Sequence, residues 1–496
     1  MGRRDGFRIN RLRISRPVAV CCGLALAAAT CTFLASCRTV GPDFKAPTMA
    51  ESTAGAAFKH AAEVPALPSR ATGEAWWTVF ADPVLVELET AALAQSPSLA
   101  AAVARVEEAR ARIGLVRADN KLSVTASGTA RLAGETAERT LPVPGQTITY
   151  RDRGDSYRTG VDASFELDLW GRVKRSLESA EAQVAATEAD QRAVRLVLTA
   201  EVAQTYFTWR MIEGVAEVLG RTVASRREAV EVLKVRFDAG LSPELDVNRA
   251  RVELATLESE IVDVRRRRDQ AVNALAVLTG KAPAAFSILL TANPGALAKA
   301  LPPAIPPGLP SELLRRRPDL AASEALLHAR TAEIGVAEAA KFPSIRLTGG
   351  AGFESLELGS LLGRPSQFWQ FGPSFSVPLL DGGRTQSNIA VAQARLAAAA
   401  ADYQQRGLAA FREVEDALVD LREQAAQAAA QDRAAESAAT VVQLATTRYE
   451  RGFATYLEIV DAQRSTLQIE RTRAELGGAR YASTVRLIRA LGGGWE

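Results

Sequence analysis

The chain has 496 residues, of which 24% are charged and only 6% aromatic, with 60 basic against 57 acidic side chains. That is enough chain for two or three ordinary domains. Its two histidines, His60 and His328, share no local motif, and no HExxH, GxSxG, P-loop or CxxC pattern occurs. Nothing therefore points to an enzyme, a catalytic residue, a resident metal or a cofactor.

The first segment, MGRRDGFRINRLRISRP, carries six arginines and one aspartate. An apolar run from Val18 to Leu34 follows, and then Leu-Ala-Ser-Cys ending at Cys37. A basic start, an apolar core and a small-residue cleavage site make a secretory signal. The run is short for a spanning helix, and LASC resembles a bacterial lipobox. The resemblance implies cleavage before Cys37 and acylation of its thiol. Cys21, Cys22 and Cys31 would leave with the signal, so Cys37 would be the one thiol of the mature chain. Arg38 follows it, where an aspartate would favour retention at the inner membrane. Losing residues 1–36 leaves 54 basic against 56 acidic side chains. The basic pI is thus largely a property of the signal, and no nucleic-acid partner is inferred.

The remaining chain is written twice. SPSLAAAVARVEEARARIGLVRADNKLSV from Ser96 matches RPDLAASEALLHARTAEIGVAEAAKFPSI from Arg317. FELDLWGR from Phe165 matches FSVPLLDGGR from Phe375, and the later ALAVLTG matches LIRALGG. Each half reads helix, strand, strand, long helix, turn, helix. In the strand from Tyr157 to Leu169, Tyr157, Val161, Phe165 and Leu167 alternate with Arg158, Asp162, Glu166 and Asp168, a period of two. Shorter alternations run over Leu122 to Ser127, Ser344 to Phe353 and Trp369 to Val377. Each is about ten residues long, as a membrane strand requires; a half-buried soluble sheet would show the same alternation. Four strands cannot close a barrel, for which about eight is the practical minimum, and lipid tolerates no open edge. Membrane strands here would need several chains, and three chains would give twelve strands.

No proline interrupts Arg172 to Ala239 or Arg384 to Arg451, and the only glycines there are Gly214, Gly220 and Gly407. At 1.5 Å per residue each run predicts a helix of roughly 100 Å, a coiled-coil wall or shaft. Alanine-rich stretches such as ARLAAAAADYQQ fit a curved wall of close-packed helices better than a solid coiled-coil stalk. Residues 283–318 hold eight prolines and read as a crossover linker. The long helices end in paired acidic turns, RFDAGLSPELDVNRAR from Arg236 and RYERGFATYLEIVDAQR from Arg448. Gly240 and Gly452 are placed to end the helices. Asp246, and later Glu458 and Asp461, open the next ones, where a carboxylate also favours a helix N-terminus. The Arg265 to Arg268 run reads as a solvated helix face, and His328 as structural.

CRTVGPDFKAP after the lipobox, WWTVFADPVLVEL from Trp76, LLRRRPDLAASEA from Leu313 and the doubled turn together resemble TolC-like outer-membrane efflux proteins, specifically their NodT-type lipoprotein branch. The resemblance covers Cys37 to about Gly494. It implies an α+β membrane protein: a homotrimer whose 12-stranded β-barrel, four strands per chain, continues into a long periplasmic α-helical barrel. On this template residues 1–36 are the signal, 37–96 the tether and equatorial segment, 97–282 the first repeat, 283–317 the Pro-rich equatorial linker and 318–496 the second repeat. The implied partners are outer-membrane lipid, a periplasmic adaptor and an inner-membrane transporter of the resistance-nodulation-division type. The implied function is a passive duct exporting small molecules. Protein secretion of the type I kind, metal-ion efflux and a non-conducting periplasmic scaffold are the alternatives. Glu458 and Asp461 match acids lining the periplasmic constriction, and Tyr449 a tyrosine of the network that closes it. Asp246 is placed to support that gate. The basic clamp of some relatives falls on Ala454 here, so a lock of that form is not expected. Leu241 and Phe453, beside Gly240 and Gly452, are candidate adaptor contacts.

Overall fold

The computed structural model describes residues 39–47, 57–60, 73, 75–132, 138–144, 146–151, 155–288, 297, 300–308, 313 and 315–494. The signal, Cys37 and Arg38 lie outside them. The elements in chain order are α1 (Pro83–Gln95), α2 (Pro97–Asp119), β1 (Ser123–Arg131), β2 (Glu138–Val143), β3 (Gln146–Arg151), β4 (Ser156–Leu167), α3 (Arg172–Asp238), α4 (Glu244–Leu278), α5 (Pro318–Ala339), β5 (Ser344–Ser355), β6 (Gln367–Ser376), α6 (Arg384–Glu450) and α7 (Tyr456–Ala490). The long helices α3 and α6 each have 67 residues, and α4 and α7 each have 35. The chain divides into two compact units, and α3 and α6 contribute residues to both.

The first unit takes residues 1–45, 112–181 and 328–396. Its antiparallel sheet has the order β1-β4-β5-β6, which leaves β1 and β6 as edges. The register stacks like on like. Val161 pairs with Ala126 and Ala351, Phe165 with Leu347, and Ile345 with Phe375. One face is therefore apolar, and it is not covered: Trp369, Phe371 and Phe375 are 82%, 76% and 78% exposed. The other face is a lattice of charge. Arg158 lies 3.8 Å from both Asp162 and Glu354, and Glu166 lies 2.9 Å from Arg172 and 3.4 Å from Arg346. The two-stranded ladder β2–β3 forms a separate hairpin. It falls in a stretch to which the alternation assigned no strand, because its period is masked by Pro142 and a short turn.

The segment just after Cys37 is stitched into this unit. The Val40 N–H donates to the Trp170 carbonyl at 3.1 Å. The Arg175 guanidinium donates to the carbonyls of Val40 and Gly41 and to the carboxylate of Asp43 at 2.7 Å. Gly41 sits at φ +89°, and a Cβ there would come within 2.4 Å of the Gly335 Cα. Both glycines of the VGPDF and IGV stretches thus answer to one close backbone crossing. Phe44 stacks on His328 at 4.5 Å, and the His328 ring is 3.0 Å from Glu178. His328 is structural, as the sequence suggested.

The second unit takes residues 46–111, 182–327 and 397–496. Its main core gathers Trp76, Leu85, Tyr206, Phe207, Leu275, Leu418 and Ile488. Helix α1 starts where Pro83 sets its first turn, with the Asp82 carboxylate accepting the Val84 and Leu85 N–H groups. Asp82 also takes the Tyr206 hydroxyl at 2.6 Å and Arg210 at 3.0 Å. Glu89 is fully buried, and among the described residues neither carboxyl oxygen has a partner. Burial pushes its carboxyl up to about 9. Arg317 of the RRRPD stretch is buried between Asp319 at 2.7 Å, Glu413 at 2.6 Å and the Ala490 carbonyl. It fastens the start of α5 to α6 and to the end of α7.

Candidate functional site at the helix tips

The two acidic turns lie in the second unit, and both glycines take the left-handed conformation, φ +74° at Gly240 and +78° at Gly452. Each closes a Schellman motif. The Gly240 N–H donates to the Phe237 carbonyl and the Leu241 N–H to the Arg236 carbonyl, both at 2.8 Å. The Gly452 N–H donates to the Tyr449 carbonyl at 3.0 Å and the Phe453 N–H to the Arg448 carbonyl at 2.8 Å. A Cβ on either glycine would meet nothing within 4 Å, so backbone conformation alone demands glycine. Leu241 and Phe453, one residue on, are 71% and 74% exposed.

The restarts differ. Helix α4 begins after Pro243 with no side-chain cap, and Asp246 sits in its first turn, 3.9 Å from Arg249. Helix α7 begins with a capping box, in which Thr455 serves the Glu458 backbone and the Glu458 carboxylate accepts the Thr455 N–H at 3.3 Å. Glu458 is therefore engaged in starting its own helix, with Arg448 3.9 Å away. Asp461 is different. Its side chain is 61% exposed, and its nearest cation is Arg464 at 3.8 Å. The pairing of Glu458 with Asp461 on one face holds by helix spacing, but only Asp461 presents its carboxylate chiefly to solvent.

Beneath the turns, four helices share one apolar cluster. Val230 and Leu233 come from α3, Val247 and Ala250 from α4, Ala445 from α6, and Tyr456, Ile459 and Val460 from α7. Tyr449 packs on its rim, edge-on to Tyr456 at 6.0 Å, with the Arg236 guanidinium over its ring at 5.3 Å. Tyr449 thus joins the two hairpins through a cation–π contact.

The polar links between hairpins are ones that motif reading missed. Arg464 of α7 grips the Glu253 carboxylate of α4, and one heptad further Arg471 reaches Glu260 at 3.0 Å. Arg226 of α3, itself buried, donates to Gln463 of α7. The Arg464 guanidinium holds the Glu253 carboxyl below the usual carboxylate range, against the opposing pull of desolvation. The signal was present as Glu253/Glu260 and Arg464/Arg471, each seven residues apart. Only the register of α4 against α7 shows that these pairs meet.

The matching of known proteins follows this architecture. The family model described as outer membrane efflux protein matches residues 88–281 and 309–493. The chain belongs to the outer membrane efflux protein family. It is 33% identical over 424 residues to the cation efflux system protein CusC of Escherichia coli O6:H1, covering 85% of this chain and 88% of that one. It is 30% identical over 471 residues to the probable outer membrane lipoprotein SilC of Salmonella typhimurium, covering 95% and 98%. The solved outer-membrane channel OprN superposes with a TM-score of 0.81 at 31% identity, covering 92% of this chain and 99% of that one. The protein is thus an outer-membrane efflux component with an α+β channel fold, and its relatives are channel proteins rather than enzymes.

Proposed function

We propose that three copies of this chain form a passive duct through the outer membrane, closed at the helix tips. The observation that carries the reading is the four-stranded sheet with an exposed aromatic face, a charged face and two open edges. Lipid on the aromatic side and water on the charged side suit both faces. Pairing β1 of one copy with β6 of the next satisfies both edges, and twelve strands close the barrel. No helix among the described residues is long and apolar enough to cross a membrane. Cys37 carries the lipid anchor on this reading, and Arg175 and the Val40–Trp170 contact fix the chain just downstream of it.

The gate comprises Asp461, with Glu458, Tyr449 and Asp246 in support, and the Glu253–Arg464 link holds the α6–α7 hairpin to the α3–α4 hairpin. Three exposed Asp461 carboxylates would form an acidic ring that favours cations. Leu241 and Phe453 are the apolar tips offered to a periplasmic adaptor, which joins the duct to an inner-membrane transporter of the resistance-nodulation-division type. Drug-like or other toxic small molecules are the exported class. The relation to a cation efflux protein favours metal ions as the second reading. Purified protein in planar bilayers provides the test. Heat-modifiable trimers that conduct ions are expected, whereas a monomer without conductance would sink the proposal. Conductance unaltered by Glu458→Ala with Asp461→Ala would remove the acidic gate while leaving the duct.

A further inference from the structure

The two helical hairpins are copies in unbroken register. Helices α3 and α6 run from Arg172 to Asp238 and from Arg384 to Glu450; α4 and α7 run from Glu244 to Leu278 and from Tyr456 to Ala490. A shift of 212 residues, 384 less 172, carries the first hairpin onto the second with no insertion. The hairpins nevertheless meet through unlike faces. The first contributes Arg221, Arg236 and Glu253 to the contact, and the second Glu470, Tyr449 and Arg464. Shifted by 212, the first set falls on Arg433, Arg448 and Ser465, and the second on Glu258, Phe237 and Val252. Each hairpin thus carries a second face that answers to its sister's contact face. That face is open: Phe237 is 40% and Val252 63% exposed, the Arg448 side chain 61%, and Arg433 and Ser465 are exposed as well.

A contact between unlike faces is head-to-tail, and it repeats until a ring closes. Three copies around one axis set six hairpins in a ring, where every second seam lies between copies. The seam within the chain is then the template for the seam between chains. Two of its contacts keep their chemistry after the shift. Arg236 over the Tyr449 ring, at 5.3 Å, becomes Arg448 over Phe237, again a cation on an aromatic face. Arg221, 3.7 Å from Glu470, becomes Arg433 facing Glu258. Within the chain Arg448 donates to the Phe453 carbonyl at 3.3 Å and lies 3.9 Å from Glu458, and Glu258 takes Arg227 at 2.8 Å. Both side chains stay at the surface, and the second oxygen of Glu258 can accept another guanidinium. The Glu253–Arg464 link does not carry over, since Ser465 and Val252 bear no charge.

We infer that the seam between copies repeats the seam within the chain: Arg448 of one copy lies over the Phe237 ring of the next, and Arg433 of one copy pairs with Glu258 of the next. The occupant of the open face of the α3–α4 hairpin is therefore the α6–α7 hairpin of a second copy. The inference rests on the three-copy duct proposed above.

The test is cross-linking of the purified full chain with a short bismaleimide. Arg448→Cys with Phe237→Cys should give covalent dimers and trimers on a denaturing gel. Arg433→Cys with Glu258→Cys, an independent pair, should do the same. Arg236→Cys with Tyr449→Cys, the counterpart within the chain, should yield a linked monomer protected from a mass-tagging maleimide. Each single variant should remain monomeric on the gel, which controls for links through Cys37 or between like positions. Arg448→Cys with Glu258→Cys should also remain monomeric, because Glu258 lies 14 residues beyond Glu244, roughly 21 Å along α4. Assembly is read in the same samples from the heat-modifiable trimer before linking. A wild type that never forms trimers would sink the duct and this contact together. Trimers in which the pair within the chain links and neither matched pair does would overturn the contact alone. Equal linking in the mismatched pair, or linking in outer membranes to another protein in place of a second copy, would overturn it as well.

Discussion

Replacing Arg464 by Gln removes the guanidinium that bridges α7 to α4 and leaves the Glu253 carboxylate, only 13% exposed, without it. A hydrogen bond to a charged group contributes about 1.5–3 kcal/mol. Arg464 is 57% exposed, so solvent screening lowers the coupling to about 1 kcal/mol. That is about a fivefold change in the ratio of open to closed tips for one chain, and on the order of a hundredfold for three chains opening together. Open probability in planar bilayers, compared across wild type, Glu253→Gln, Arg464→Gln and the double variant, measures it as a double-mutant cycle. Each single variant should open more readily, and the double should add little to either. Strict additivity, or unchanged open probability in all three, would refute a role for this pair in closure. The pH dependence has a defined sign. With its folded-state value depressed by Arg464, Glu253 contributes fully above the ordinary carboxylate range, near pH 4.3. The contribution is lost as pH falls through the lower folded value. Acid should therefore open the wild type through this pair, while the Glu253→Gln variant lacks that component.

Other outcomes follow from the same geometry. Alanine at Gly240 or Gly452 should destabilise its turn by about 1–2 kcal/mol, because L-residues resist the left-handed region; limited proteolysis would find the tip more readily cut, and equal resistance would contradict the Schellman assignment. Glu89, neutral in the fold with its carboxyl pushed up to about 9, takes up a proton on folding. Stability should fall as pH rises from about 4.5 to about 9, by about 3 kcal/mol between pH 4.5 and 7, and thermal melting of Glu89→Gln should lack that slope. Arginine at Phe371, in the middle of the exposed aromatic face, should cost barrel assembly about 2–4 kcal/mol. Arginine at Gln370, on the opposite face, should cost far less, and heat-modifiability of the extracted protein distinguishes the two.

Much of the fold is legible along the chain because it depends on local periodicity. Unbroken alanine-rich runs bounded by Arg172 and Arg384 predict the long helices, and the two 67-residue helices end within one residue of expectation. Alternation from Tyr157 predicts β4 and its apolar face. Gly240 and Gly452 mark the turns because only glycine takes positive φ there without cost. The β2–β3 hairpin escaped, since two six-residue strands interrupted by proline carry little periodic signal.

The tips divide along the same line. Sequence spacing puts Glu458 and Asp461 on one helix face. It does not reveal that Glu458 is taken up by its own helix cap while Asp461 is left to solvent. Local rules reach about one helical turn; the pairing of Glu253 with Arg464, 211 residues apart, depends on how two hairpins pack. The sequence by itself determined the helices, the strand faces and the glycine turns, whose causes lie within a few residues of each backbone position. The tertiary structure decided which charges meet across helices and which remain exposed, because those depend on register between segments distant in the chain.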